Sequence, residues 1–310
     1  RPLSNLELSE YISTISNEDK DYGRTLGGHF YLYSSMQIKQ FFASRIQDIV
    51  MDSNLQGWRQ GNTLIDNISL HDYKTIMWAC ASRMYKDGVK FTKICAFCGF
   101  EEDVMMNVDK MMFQNDEPLK DGAYAVIEGK KTVTVDDVKL YKSKILYSNV
   151  NTIAETPGFK IYRSVPSIEK YLSCATTFIT TMVNDISNLN SDDAVRDYVR
   201  YTYYKQYAPW IDKIESYSED GTLEFTLRDT KAIFDFFEMN SLEDTDFGKQ
   251  MEDYIQKTML TYVAFPYIEC PSCHKVPEEI HNGFVPYDIE SGFFTMSVKK
   301  LRELSSKIAD

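Results

Sequence analysis

Cysteine is scarce in this chain, with six in 310 residues. So few thiols disfavour a disulfide-stapled secreted scaffold. The first ten residues, RPLSNLELSE, contain no apolar h-region and are not expected to act as a secretory signal. No apolar run approaches the roughly 18 residues that span a bilayer, so no membrane insertion is expected. Basic residues are outnumbered 34 to 46, for a net charge of −12. The stretches GKK (129–131) and VKKLR (298–302) are too short to make a phosphate-binding patch, so no nucleic-acid partner is expected. GxGxxG, P-loop, HExxH and GxSxG motifs are all missing, which removes the motif-bearing nucleotide-binding, metallopeptidase and serine-hydrolase classes. Adjacent acidic pairs such as Asp136–Asp137 do not converge on one point, and His29, His71 and His281 stand alone, with His71 expected on the surface. Nothing therefore points to an enzyme.

Aromatic residues are plentiful: 21 Tyr, 18 Phe and 3 Trp. A tyrosine is apolar over most of its area and polar at its tip, which suits contact surfaces that are partly wet. Hydrophobic residues at 43% and charged residues at 26% describe an ordinary globular chain.

Periodicity divides the chain into four segments. Residues 1–88 open irregularly around DYGRTLGGHF (21–30), then carry helical patterns over 34–51 and 69–87, the second ended by Gly88. Residues 89–165 read as strand, tight turn and strand over 89–108. Further β character is expected over 129–148, and a short strand over 159–165 ends at Pro166. Residues 166–265 read as helical. One helix starts at Ser167 with Ile168, Tyr171, Leu172, Ala175, Phe178, Ile179, Met182 and Ile186 on its apolar face. Residues 266–310 close the chain with a further helix. The fold class expected is α+β, mostly helical, with a small β zinc-ribbon-like module.

That module rests on two hooks, Cys95 and Cys98 in ICAFCGF and Cys270 and Cys273 in IECPSCHK. Two residues between cysteines let both sulfurs of a tight turn face one point, and two such turns supply the four thiolates of a tetrahedral zinc site. Gly99 follows the first hook, where a positive φ is cheap. His274 occupies the matching place in the second, which puts it in the turn rather than among the ligands. The expectation is one structural Zn2+ per chain on Cys95, Cys98, Cys270 and Cys273. The long stretch between the hooks must fold by itself and return. A redox CxxC and structural disulfides are the competing readings. A redox pair normally opens a helix, and the residues after Cys98 alternate like a strand. Cys80 and Cys174 fall on apolar helix faces and are expected to be small core residues.

The stretch SLHDYKTIMWACASRMYKDGVKFTKICAFCGFEEDVMMNVDKMMF (69–113), with IECPSCHKVPEEIHNGFVPYDIESGFF (268–294), resembles the zinc-hook region of baseplate hub and hub-assembly proteins of T4-like contractile-tailed bacteriophages. The long insert between the hooks and the C-terminal helix depart from that pattern. The resemblance implies a structural or assembly role in the tail baseplate, made in the host cytoplasm, with other baseplate or tail proteins as partners. It carries over the four cysteines as zinc ligands and no catalytic residue. A viral zinc-ribbon transcription factor is the alternative, and the acidic neighbours Glu101, Glu102, Asp103 and Glu269 disfavour it. In the last segment Phe293 and Phe294 have two readings. They pack on the chain's own core, or they anchor a neighbouring subunit, with Lys299, Lys300 and Arg302 as a basic rim.

Overall fold

The computed structural model describes residues 1–26, 30–145, 152–156, 158–240, 246–266, 269–275 and 284–309. It is a mixture of helices and small antiparallel sheets. The chain forms two compact units, and both are discontinuous. One contains residues 1–13, 71–115 and 260–310, and the other contains 14–70 and 116–259.

The elements run in the order α1 (Asn5–Leu26), α2 (Phe30–Ala43), α3 (Ile46–Ile49), α4 (Thr63–Asn67), α5 (Leu70–Met84), β1 (Val89–Ile94), β2 (Glu101–Met106), β3 (Met112–Gln114) and α6 (Val135–Ser143). They continue with β4 (Thr152–Thr156), β5 (Phe159–Arg163), α7 (Ile168–Ile186), α8 (Asp192–Thr202), β6 (Ile211–Tyr217), β7 (Leu223–Leu227), α9 (Thr230–Met239), α10 (Phe247–Lys257), β8 (Thr261–Pro266), β9 (Phe284–Pro286) and α11 (Ile289–Ala309).

In the larger unit, α7 follows from its sequence. Ser167 caps its start by accepting a hydrogen bond from the Lys170 backbone N–H. One face buries Ile168, Tyr171, Ala175, Phe178, Ile179, Met182 and Ile186, and each such side chain contributes about 1.5–3 kcal/mol. That face meets Ile233, Phe236 and Phe237 of α9 and Ile161, Ile211 and Ile214 of a four-stranded sheet ordered β4-β5-β6-β7. Cys174 lies in this core, its Sγ 3.4 Å from the Thr230 hydroxyl, as expected of a structural thiol.

Four expectations fail here. The N-terminal region is not irregular through residue 26, because α1 runs to Leu26. Residues 135–143 form α6 rather than β structure. Thr134 and Asp137 make a reciprocal capping box, with side-chain bonds of 3.0 and 3.1 Å, and this local satisfaction of helix donors outweighs the β-branched content. The middle of the chain is not wholly helical: β6 and β7 form a hairpin around the Ser218–Thr222 turn. His71 is half-buried in the first turn of α5 rather than on the surface, and burial pushes its pKa down to about 3.

In the smaller unit, β1 and β2 pair antiparallel from Val89↔Met106 to Ile94↔Glu101. β8 lies between β3 and β9 in a second, three-stranded sheet. Tyr11 packs edge-on against Phe293 at 5.7 Å and Phe294 at 6.1 Å. Phe293 is fully buried among residues of its own chain. The subunit-anchor reading therefore does not stand for Phe293, whose ring is consumed in the core that α11 completes. Phe294 is half-buried beside it.

Candidate metal centre

Each hook is a turn at the end of a strand, and the two turns share one design. The Gly99 N–H donates to the Cys95 carbonyl at 2.9 Å, and the His274 N–H donates to the Cys270 carbonyl at 2.9 Å. Gly99 has φ +70° and His274 has φ +56°. Both are left-handed, which is inexpensive for glycine and costly for histidine. The match of His274 to Gly99 made from sequence is thus observed in the backbone. The His274 side chain is 73% exposed and its Nδ1 lies 2.7 Å from a Glu269 carboxylate oxygen, outside the sulfur cluster.

The strands that carry the hooks are held together by rings. Phe91 of β1 lies 5.9 Å from Phe265 of β8 and 6.0 Å from Tyr287, and Phe265 and Tyr287 are 4.6 Å apart. Tyr287 fits because residue 292 has no side chain: a Cβ on Gly292 would fall 1.8 Å from the tyrosine hydroxyl. Lys275 of the second hook sits over the Phe97 ring of the first at 5.4 Å. Sequence reasoning missed this bracing. Its signal was an aromatic shortly before each hook, Phe91 and Phe265.

The result is four sulfurs around one point. Cys95 Sγ is 3.7 Å from Cys273 Sγ, Cys98 Sγ is 3.7 Å from Cys270 Sγ, and all four lie within 4.8 Å of one another. A tetrahedron of sulfurs at the Zn–S distance of about 2.3 Å has edges of about 3.8 Å. A disulfide requires about 2.05 Å. The spacing therefore fits one metal ion held by four thiolates and does not fit preformed disulfides. Cys95 and Cys270 are buried, Cys273 is partly exposed and Cys98 is exposed.

The surroundings act unequally on the thiols of the cluster. The backbone N–H groups of Phe97 and Cys98 lower the Cys95 thiol to about 6. At Cys273 the Lys275 N–H pulls the same way, but burial and the three neighbouring sulfurs outweigh it and push the thiol up to about 11. Four thiolates this close repel one another unless a positive ion sits between them. The same backbone donors would orient the sulfurs of a bound metal.

No other group of three or more metal-ligating side chains occurs among the described residues. Cys80 is buried at 2% exposure, and burial raises its pKa to about 11, as for a core thiol. The outward face of the hook hairpin carries Lys90, Thr92, Ile94, Glu101, Asp103 and Met105, with Lys90 and Asp103 paired at 2.6 Å. No helix among the described residues is long and apolar enough to cross a membrane. The chain matches no protein-family model, no curated protein and no solved structure.

Proposed function

We propose that this chain is a structural component of a phage tail baseplate, or a protein that assists its assembly. In this account one zinc ion on Cys95, Cys98, Cys270 and Cys273 staples a zinc-ribbon-like module, and the chain is not an enzyme. The observation that carries the reading is the closed ligand set. Four thiolates already complete a tetrahedral zinc, so no position is left for water or substrate, and the chemistry a bound zinc supplies is cross-linking. The backbone donors at Phe97, Cys98 and Lys275 orient the sulfurs, and the Phe91–Phe265–Tyr287 rings hold the hook-bearing strands together. The baseplate setting comes from the hook sequences, and the charge of −12 accords with protein rather than nucleic-acid partners.

The test is to follow a tagged copy through infection by the encoding phage. Recovery in purified tails or in sedimenting baseplate intermediates supports the reading. Absence from both contradicts it. Submicromolar binding to duplex DNA at about 150 mM salt would favour a zinc-ribbon transcription factor instead.

A further inference from the structure

We propose that copies of this chain dock on one another head to tail, the acidic β6–β7 hairpin of one copy seated on a basic ridge around Tyr85 of the next. The inference rests on two surfaces of opposite charge, and it is independent of the metal centre and of the baseplate setting. The ridge is assembled by the fold of the smaller unit. The Tyr85 hydroxyl donates to the Met296 carbonyl of α11. Lys300 Nζ lies 5.6 Å from the centre of the Tyr85 ring, and Lys299 Nζ donates to the Lys90 carbonyl at 3.3 Å. These contacts gather Lys86 and Lys90 beside Lys299, Lys300 and Arg302, cations that lie far apart in the sequence. Lys90 is paired with Asp103. Lys86, Lys300 and Arg302 have no carboxylate partner among the described residues, although the chain holds 46 acids.

The opposite surface belongs to the larger unit. Every residue from Glu219 to Thr226 is exposed. Glu219, Asp220 and Glu224 have no cation partner among the described residues. Leu223 is 49% and Phe225 46% exposed. β7 lies at the edge of its four-stranded sheet, and it carries neither of the residues, Lys and Pro, that commonly protect an open edge. Large apolar side chains left in solvent beside charged ones mark a contact surface. The register shifts between Ser216 and Tyr217, which interrupts the ladder. The hairpin therefore docks through its side chains rather than by adding a strand.

Charge complementarity selects the occupant of the ridge. The hairpin's three carboxylates meet cations left unpaired within their own chain, while Leu223 and Phe225 rest against Tyr85 and the apolar stems of the lysines. A nucleic-acid backbone fits less well. Lys90 shares the outward face of the hook hairpin with Glu101 and Asp103, which would repel phosphates. The contact joins two different surfaces, so a copy engaged at one keeps the other for a further copy.

Sedimentation velocity of the full-length, metal-loaded protein tests this across about 1–100 µM, where modest interfaces associate. The wild type should self-associate at about 50 mM salt and disperse at about 500 mM, because screening shortens the reach of exposed charges. Lys86→Glu/Arg302→Glu breaks the ridge, and Glu219→Lys/Glu224→Lys breaks the hairpin. Each alone should weaken association by more than about tenfold, since like charges then face each other. Circular dichroism and metal content should stay those of the wild type. The equimolar mixture of the two variants is decisive. One retains an intact hairpin and the other an intact ridge, so the mixture should form a one-to-one dimer and nothing larger. The proposal is overturned by a wild type that stays monomeric, by association indifferent to salt or to either variant, or by a mixture that stays monomeric or grows past the dimer.

Discussion

Replacing either Cys95 or Cys270 by serine breaks the same staple from opposite ends, so the two losses should be nearly equal. The magnitude follows from loop closure. The sulfurs join segments about 170 residues apart, and closing a flexible loop of that length removes about 5 kcal/mol of unfolded-state entropy. Most of that loop belongs to the larger unit, residues 14–70 and 116–259. If that unit stays folded while the smaller one opens, only about 30 residues of the loop are free, and the same relation gives about 3.5 kcal/mol. The expected loss is therefore about 3.5–5 kcal/mol for either variant. The double variant should lose little more, because the second substitution acts on a staple already broken. Urea denaturation of metal-loaded protein, followed by far-UV circular dichroism with and without chelator, measures all three and the wild type. The reasoning is refuted if one serine variant destabilises and the other does not, if the losses add, or if chelator leaves the wild-type midpoint unchanged.

Three further outcomes are expected. His274→Gly should keep the metal content of the wild type and shift stability by no more than about 1 kcal/mol, since it relieves a positive φ while losing an exposed pair with Glu269; loss of metal would make His274 a ligand. His71 has its folded pKa lowered to about 3 by burial, so the unfolded chain takes up a proton that the folded chain refuses as pH falls below about 6.5, and stability drops across that window. Between pH 7 and pH 5 this amounts to at most about 2 kcal/mol, and His71→Gln should flatten that part of the urea-midpoint profile. Gly292→Ala places a methyl against the Tyr287 hydroxyl and should lower stability by about 1–3 kcal/mol through overpacking, with partial recovery in Gly292→Ala/Tyr287→Phe; an unchanged melting temperature in the single variant would show that the Phe91–Phe265–Tyr287 cluster yields freely.

What could be read from the sequence was whatever local chemistry dictates. The face of α7 was legible because Ile168 to Ile186 repeats at helical spacing and Ser167 caps its start. The β1–β2 hook was legible because its alternation meets a CxxCG turn. The pairing of Cys95 and Cys98 with Cys270 and Cys273 was legible, despite the distance between them, because the two turns are chemically alike. Legibility ended where one local signal overrode another. Val133 and Val135 suggest strand, yet the Thr134–Asp137 box fixes a helix. Ile211 and Ile214 continue an apparent helical run, yet the SEDG turn at 218–221 folds β6 onto β7. The two-unit arrangement had no local signature, since it depends on which distant segments bury the same core. Phe293 was ambiguous for the same reason, as nothing near it in sequence announces Tyr11.

The central claim is a single ion held by four sulfurs that belong to two distant hooks. X-ray absorption at the metal edge of the protein, purified without added metal and then dialysed, tests it most directly when combined with metal analysis of the same sample. The account predicts about one zinc per chain and a single shell of four sulfurs at about 2.3 Å, with no nitrogen or oxygen neighbour. A shell containing nitrogen or oxygen, or a metal content near zero or near two per chain, would contradict it.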